Sequence, residues 1–162
     1  MKKLAIFLIL LVMAAAGVLL YGLFNADLKV LSKDLQVYSA GQLPEWFQRD
    51  RAAVEQDALL GTRISNEQLG DAADYVYRVY TMRVKNSGLV DAEMVELQIA
   101  PEGQDVLYYG ENGRVDIKAG ETRDITCILL TKGHTHDVRN IYITYYLWGN
   151  PQEVKFTYDN TK

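Results

Sequence analysis

From Tyr75 onward the chain alternates between apolar and polar side chains, and that alternation limits what it can fold into. Residues 75–85 read YVYRVYTMRVK and close on the turn Asn86-Ser87-Gly88. In residues 92–100, Val95, Leu97 and Ile99 alternate with Glu96 and Gln98. Ile125, Cys127 and Leu129 share one side of residues 122–131. Ile141, Ile143, Tyr145 and Leu147 share one side of 140–148, and Val154, Phe156 and Tyr158 one side of 153–158. Short runs at 105–109 and 115–117 bring the count to seven. A side-chain period of two sends one face inward and the other to solvent. Strands of this kind, with turn residues about every eight to twelve positions, predict a mainly β, seven-stranded antiparallel sandwich. Leu97, Ile99, Ile125, Leu129, Ile143 and Phe156 are its expected core.

The chain has 162 residues, 49% of them hydrophobic, which leaves one domain once an N-terminal apolar run is set aside. A single cysteine makes no intramolecular disulfide, and no zinc-type Cys/His spacing occurs. The formal net charge is −4, and the body is more acidic still without Lys2 and Lys3. An acidic body argues against nucleic acid as a partner, because phosphate recognition needs a basic surface.

The apolar run begins at Leu4 and ends at Phe24: 21 residues without a charge. As a helix it is about 30 Å long, the thickness of a bilayer's hydrocarbon core. Residues 1–26 therefore predict a transmembrane anchor. The alternative is a signal peptide, with Lys2 and Lys3 as its basic start and Ala14-Ala15-Ala16 as its cleavage site. Cleavage there would leave the apolar stretch GVLLYGLF at the new N-terminus, which favours the uncleaved anchor. The basic N-terminus places residues 1–3 in the cytoplasm and the domain outside a single-pass cell-membrane protein.

Residues 27–74 form a connecting region expected to be helical. Leu28, Leu31, Leu35 and Tyr38 are spaced by 3, 4 and 3, which is helical, with a loose stalk as the alternative. Pro44 suits a first helical position, residues 45–60 are good helix formers, and Gly61 is a plausible stop. The stripe of Phe47, Val54 and Ala58, broadened by Trp46, is too thin for a core helix and fits a cap on an end or edge. Ser65-Asn66-Glu67-Gln68 has the form of a capping box, predicting a short turn of helix.

Val84-Lys85-Asn86-Ser87-Gly88 through Ala92, followed by Lys118-Ala119-Gly120-Glu121-Thr122, resembles bacterial immunoglobulin-like and fibronectin-III-like sandwich domains of the cell-adhesion-related (CARDB) type. The resemblance covers residues 75–160. It implies that the Asn-x-Gly shapes the turn between two strands and that the Ala-Gly-Glu turn opens a late one. It carries no catalytic residue. Residues 92–99 and 141–148 also resemble single-pass proteins of unknown function from Gram-positive bacteria.

Three groups could carry chemistry. Tyr142, Tyr146 and Trp148 alternate with the inward residues of one strand, so their rings would form an outward platform for a partner chain or a sugar, unless the helix carrying Trp46 and Phe47 covers that face. His134 and His136, with Asp137 beside them, would point the same way on an extended segment and suit zinc or nickel, but a third ligand is missing and the favoured reading is a solvated hairpin loop. Cys127 lies between inward residues and reads as a buried thiol. No nucleophile elbow, zinc-protease helix, phosphate loop or dinucleotide fingerprint occurs. The chain is therefore expected to be no enzyme and to need no cofactor. Its expected role is a membrane-tethered immunoglobulin-like domain that binds a protein of the cell envelope. Glycan binding on the outward aromatics is the alternative, and metal dependence through His134 and His136 the weakest.

The anchor makes the first test. Residues 4–24 should remain in the mature protein, and protease added to intact cells should remove what lies beyond about residue 30. N-terminal sequencing that starts at Gly17 would overturn the anchor, and full protection would reverse the orientation.

Overall fold

The computed structural model describes residues 2–24, 28–133 and 138–159. Helix α1, Lys2–Phe24, is apolar beyond Lys2 and Lys3, with no acidic residue in its first turn and no basic residue in its last. Its segment Lys3–Tyr21 has a mean hydropathy of 2.8 and none of it is buried against the rest of the chain, so it is long and apolar enough to cross a membrane.

Nine strands follow, not seven: β1 Leu28–Ser39, β2 Thr62–Arg63, β3 Tyr75–Asn86, β4 Ala92–Ile99, β5 Asp105–Gly110, β6 Val115–Ile117, β7 Thr122–Lys132, β8 Val138–Leu147 and β9 Asn150–Asp159. Helix α2, Pro44–Glu55, lies between β1 and β2. The strands form two sheets, ordered β1-β3-β7-β5-β2 and β6-β4-β8-β9, with antiparallel neighbours throughout. The sheets face each other across a core of Tyr80, Met82, Val95, Leu97, Ile117, Cys127, Leu129, Ile141 and Ile143, all at most 3% exposed.

The seven strands expected after residue 74 are β3 to β9. The two extra strands, β1 and β2, come from the connecting region, and both join the five-stranded sheet. β1 corrects the expected helix or stalk at 28–39. It pairs with β3 from Leu28 opposite Asn86 to Ser39 opposite Val76. A bulge between Val30 and Ser32 switches its parity, so Leu28 and Val30 face the core before it, and Lys33 and Leu35 after it. The switch puts Leu28 and Leu35, seven residues apart, on one face, a separation that also fits two turns of helix.

α2 ends at Glu55, earlier than expected, and Asp57 takes a left-handed φ of 52° just beyond. Gly61 is no helix stop. A Cβ there would lie 2.5 Å from the Tyr108 carbonyl oxygen and 2.7 Å from the Tyr109 Cβ, so glycine lets β2 approach β5. Ser65 caps no helix either; its Oγ accepts from the Glu67 N–H at 3.2 Å in a local turn.

α2 packs on the outer face of the five-stranded sheet. Phe47, Val54, Leu69, Tyr75, Tyr77, Leu107, Ile128 and Leu130 form a second buried cluster there. Ring contacts join Trp46 to Tyr77 at 5.6 Å and Phe47 to Tyr75 at 5.4 Å. β7 is thus apolar on both faces, and the molecule has three layers: helix, sheet, sheet.

The two turn motifs meet at one end of the sandwich. Asn86 is 1% exposed; its Nδ2 donates to the carbonyls of Val90 (2.8 Å) and Ile117 (2.9 Å), and its Oδ1 accepts from Gly88 N–H (2.9 Å). Its backbone exchanges bonds with the other motif, N–H to Glu121 and carbonyl from Gly120, each 2.9 Å. At the opposite end a buried ion pair joins the sheets. Arg139 of β8 donates twice to Asp105 of β5, at 2.9 Å each, and its Nη1 lies 3.0 Å from a Glu102 carboxylate oxygen. Removing one member of such a pair typically costs about 3–5 kcal/mol, because the other charge stays buried.

Of the six expected core residues, five are buried and Phe156 is not. It lies on edge strand β9, half-buried, with the Lys33 ammonium 4.3 Å from its ring centroid. The two sites should therefore separate. In urea melts of a fragment starting at residue 28, Leu97→Ala should cost about 2–5 kcal/mol. Phe156→Ala should cost less, because its ring already meets solvent and a cation. Equal losses would contradict the packing described.

Candidate functional site

The sandwich has two outer faces, and they differ. The outer face of the five-stranded sheet is roofed by α2. The outer face of the four-stranded sheet has no covering element among the described residues.

Register builds that bare face in three rows. Tyr142 of β8 lies between Gln98 of β4 and Lys155 of β9, Thr144 between Glu96 and Glu153, and Tyr146 between Glu93 and Pro151. Tyr142 and Thr144 are half-buried by their neighbours, and Tyr146 is 39% exposed. The Lys155 ammonium sits 5.3 Å from the Tyr142 ring centroid. Arg114 pairs with Glu96 at 3.1 Å, and Gln98 donates to the same carboxylate at 3.3 Å. A shallow groove of about 320 Å³ runs between Met94, Glu96, Tyr146 and Gln152. The face thus carries two rings, both charge signs and several hydrogen-bonding side chains.

Trp148 is not on this strand face as the sequence spacing implied. β8 ends at Leu147, which pairs with Asn150, so Trp148 and Gly149 form a two-residue hairpin turn. Both are left-handed, with φ of 49° and 75°, the pattern of a type I′ turn. Such turns favour Asn-Gly; a left-handed Trp costs roughly 1–2 kcal/mol. Trp148 is 48% exposed at the tip. The helix carrying Trp46 and Phe47 covers neither Tyr142 nor Tyr146, because it lies on the other sheet.

His134, His136 and Asp137 lie outside the described residues. Among the described residues no group of three His, Cys, Asp or Glu is placed to hold a metal. Cys127 is fully buried, and burial, helped by the Glu96 charge, pushes its thiol up to about 12. At neutral pH it is a protonated core residue.

One polar cluster escaped the sequence reading. Asp50, on α2, is 2% exposed. Its Oδ2 accepts from the Tyr77 hydroxyl at 2.7 Å and the Tyr109 hydroxyl at 3.1 Å, and its Oδ1 from Arg49 Nε at 3.1 Å and Nη2 at 3.0 Å. Arg49 also donates to the Tyr109 hydroxyl and lies 5.9 Å from the Trp46 ring. A carboxylate has about four lone-pair sites, and all four are taken. Asp50 therefore clamps α2 to the sheet beside a cleft of about 300 Å³. Its only advance signal was an acid next to an arginine on the apolar side of a helix.

Compared with known proteins, the chain matches no family model and no curated protein.

The clamp sets a pH dependence. Burial, together with the charge of Asp50 and the hydrogen bond to it, raises Tyr77 and Tyr109 far above the ordinary value of 10.0. The fold thus favours the protonated phenols. Their contribution is complete below the unfolded value and is lost as pH climbs above about 10. The urea midpoint should fall through that range, and less steeply in Tyr109→Phe. A midpoint flat to high pH would remove the clamp.

Proposed function

We propose that this chain is a membrane-tethered immunoglobulin-like domain that holds a protein of the cell envelope on the bare face of its four-stranded sheet. The carrying observation is the asymmetry of the outer faces. α2 and the Asp50 clamp roof one, while Tyr142, Thr144 and Tyr146 line the other uncovered. Aromatic residues with hydrogen-bonding neighbours are common anchors of protein interfaces. α1 is the tether, inserted with Lys2 and Lys3 in the cytoplasm and the sandwich outside. What supports the immunoglobulin-like reading is that Asn86-x-Gly88 forms the turn between β3 and β4 and that Ala119-Gly120-Glu121 leads into β7, the places the resemblance implies for a strand turn and a late strand.

Glycan binding is the weaker reading. A sugar stacks on an open ring face, and Lys155 already lies over Tyr142. No enzymatic step is part of the proposal.

Face-selective crosslinking tests the proposal. A photoreactive residue at Thr144 or Tyr146, in the native membrane, should give a discrete protein adduct, and one at Arg51 on α2 should not. Tyr146→Ala should weaken capture of the adduct partner by about 2 kcal/mol, roughly 30-fold, with the melting midpoint unchanged. Adducts from Arg51 but not from the sheet would place the interface on the wrong side for this reading.

A further inference from the structure

The strand directions put two exposed hydrophobic tips, the Leu89 loop and the Trp148 turn, at one end of the sandwich, and it is the end where the chain arrives from α1. β1 enters there at Leu28, opposite the last residue of β3. The β3-to-β4 loop lies at that end and carries Leu89, 62% exposed. β8 reaches the same end at Leu147, because Tyr146 pairs with Glu93 at the start of β4, so the Trp148-Gly149 turn projects from it.

The covalent chain allows little separation from α1. Phe24 is the last residue of the helix and Leu28 the first of β1. Four residue steps span at most about 14 Å, even fully extended. The polar headgroup layer is itself about 5–8 Å deep on each side of the hydrocarbon core. If α1 spans the bilayer, this end of the sandwich stands at the lipid surface, whichever side the domain occupies.

A second observation points the same way. Among the described residues only three non-glycines adopt a positive φ: Asp57, Met94 and Trp148. Two of them are large hydrophobics, 43% and 48% exposed, and both lie toward this end. At the tip turn, asparagine would satisfy the backbone better than tryptophan. A strained aromatic kept in solvent needs a reason outside the fold. Leu89 is held outward by a rigid support, since Asn86 ties its loop to Val90, Ile117 and Gly88.

We infer that Trp148 and Leu89 are interfacial anchors that seat the base of the sandwich on the bilayer to which α1 tethers it. The inference rests on the reading of α1 as an uncleaved membrane span. Trp is the side chain favoured at the headgroup level, where its ring is in apolar contact and its N–H is wet. Lys29, Lys85, Lys118 and Arg123 at this end are balanced by Asp91, Glu93, Asp116 and Glu121, so the contact is apolar rather than an electrostatic grip on anionic lipid. Seating fixes the tilt of the sandwich and holds the Tyr142–Tyr146 face upright along the membrane normal. It also takes Trp148 out of the partner site.

Emission from the two tryptophans of the full chain tests this. Trp46 packs on Tyr77, nine residues along β3 from Asn86, about 30 Å from the base. The chain is reconstituted in vesicles of equal parts phosphatidylcholine and phosphatidylglycerol, with or without bromine near the headgroup end of the acyl chains. Trp148→Asn is the paired variant; its Asn-Gly turn should melt no lower than the native protein. The expected result is brominated-lipid quenching in the native chain and loss of that quenching in Trp148→Asn. A chain that resists alkaline extraction but shows no quenching overturns the seating and leaves the anchor standing. Quenching that persists in Trp148→Asn comes from Trp46 and also overturns it. Release of the chain by alkaline extraction overturns the anchor, and the seating with it.

Discussion

β7 has no wet face over its central stretch, and the rest of the structure answers to that. Ile125, Cys127 and Leu129 are buried between the sheets, and Ile128 and Leu130 are buried on the other side. A two-sheet sandwich covers only one of these sets. The segment between β1 and β3 supplies the second cover, and Asp50 holds it in place through two tyrosines from different strands. Burying a carboxylate is unfavourable unless all its acceptor positions are met. Here they are, so the roof has one seating, and the cost of misplacing it is an unsatisfied charge.

Much of the sandwich was legible in the sequence, because period-2 alternation reports one buried face directly. All seven strands after residue 74 appear where alternation placed them, and Leu97, Ile125 and Ile143 face the core. The misses have physical causes. A bulge near Leu31 changed the parity of β1 and disguised it. β2 is two residues long, and no periodicity can show in two residues. Phe156 has the right parity, but an edge strand buries less than a central one. The run Cys127-Ile128-Leu129-Leu130 was itself a signal for double-sided burial, and it called for a covering layer.

The functional features were less legible. The spacing of Tyr142, Tyr146 and Trp148 holds only while the strand continues, and the chain leaves the strand between the second and the third. Gly149 was the available clue: Leu-Trp-Gly-Asn places glycine at the second turn position and so puts tryptophan at the first. Asp50 gave almost no signal, since its tyrosine partners lie 27 and 59 residues away. The N-x-G and A-G-E motifs were visible as turns, but not that Asn86 links one to the other.

β1 has a mechanical meaning. It is an edge strand hydrogen-bonded along its length to β3, and the chain enters it at Leu28 with the strand axis running away from that entry point. A pull on the chain at residue 28 therefore acts along β1 and loads its rungs against β3 in shear, all together. Peeling, which breaks rungs one at a time, would require the pull to come from Ser39 instead. Tension applied along the strand from Leu28 is thus shared by the whole β1–β3 ladder rather than falling on one rung at a time.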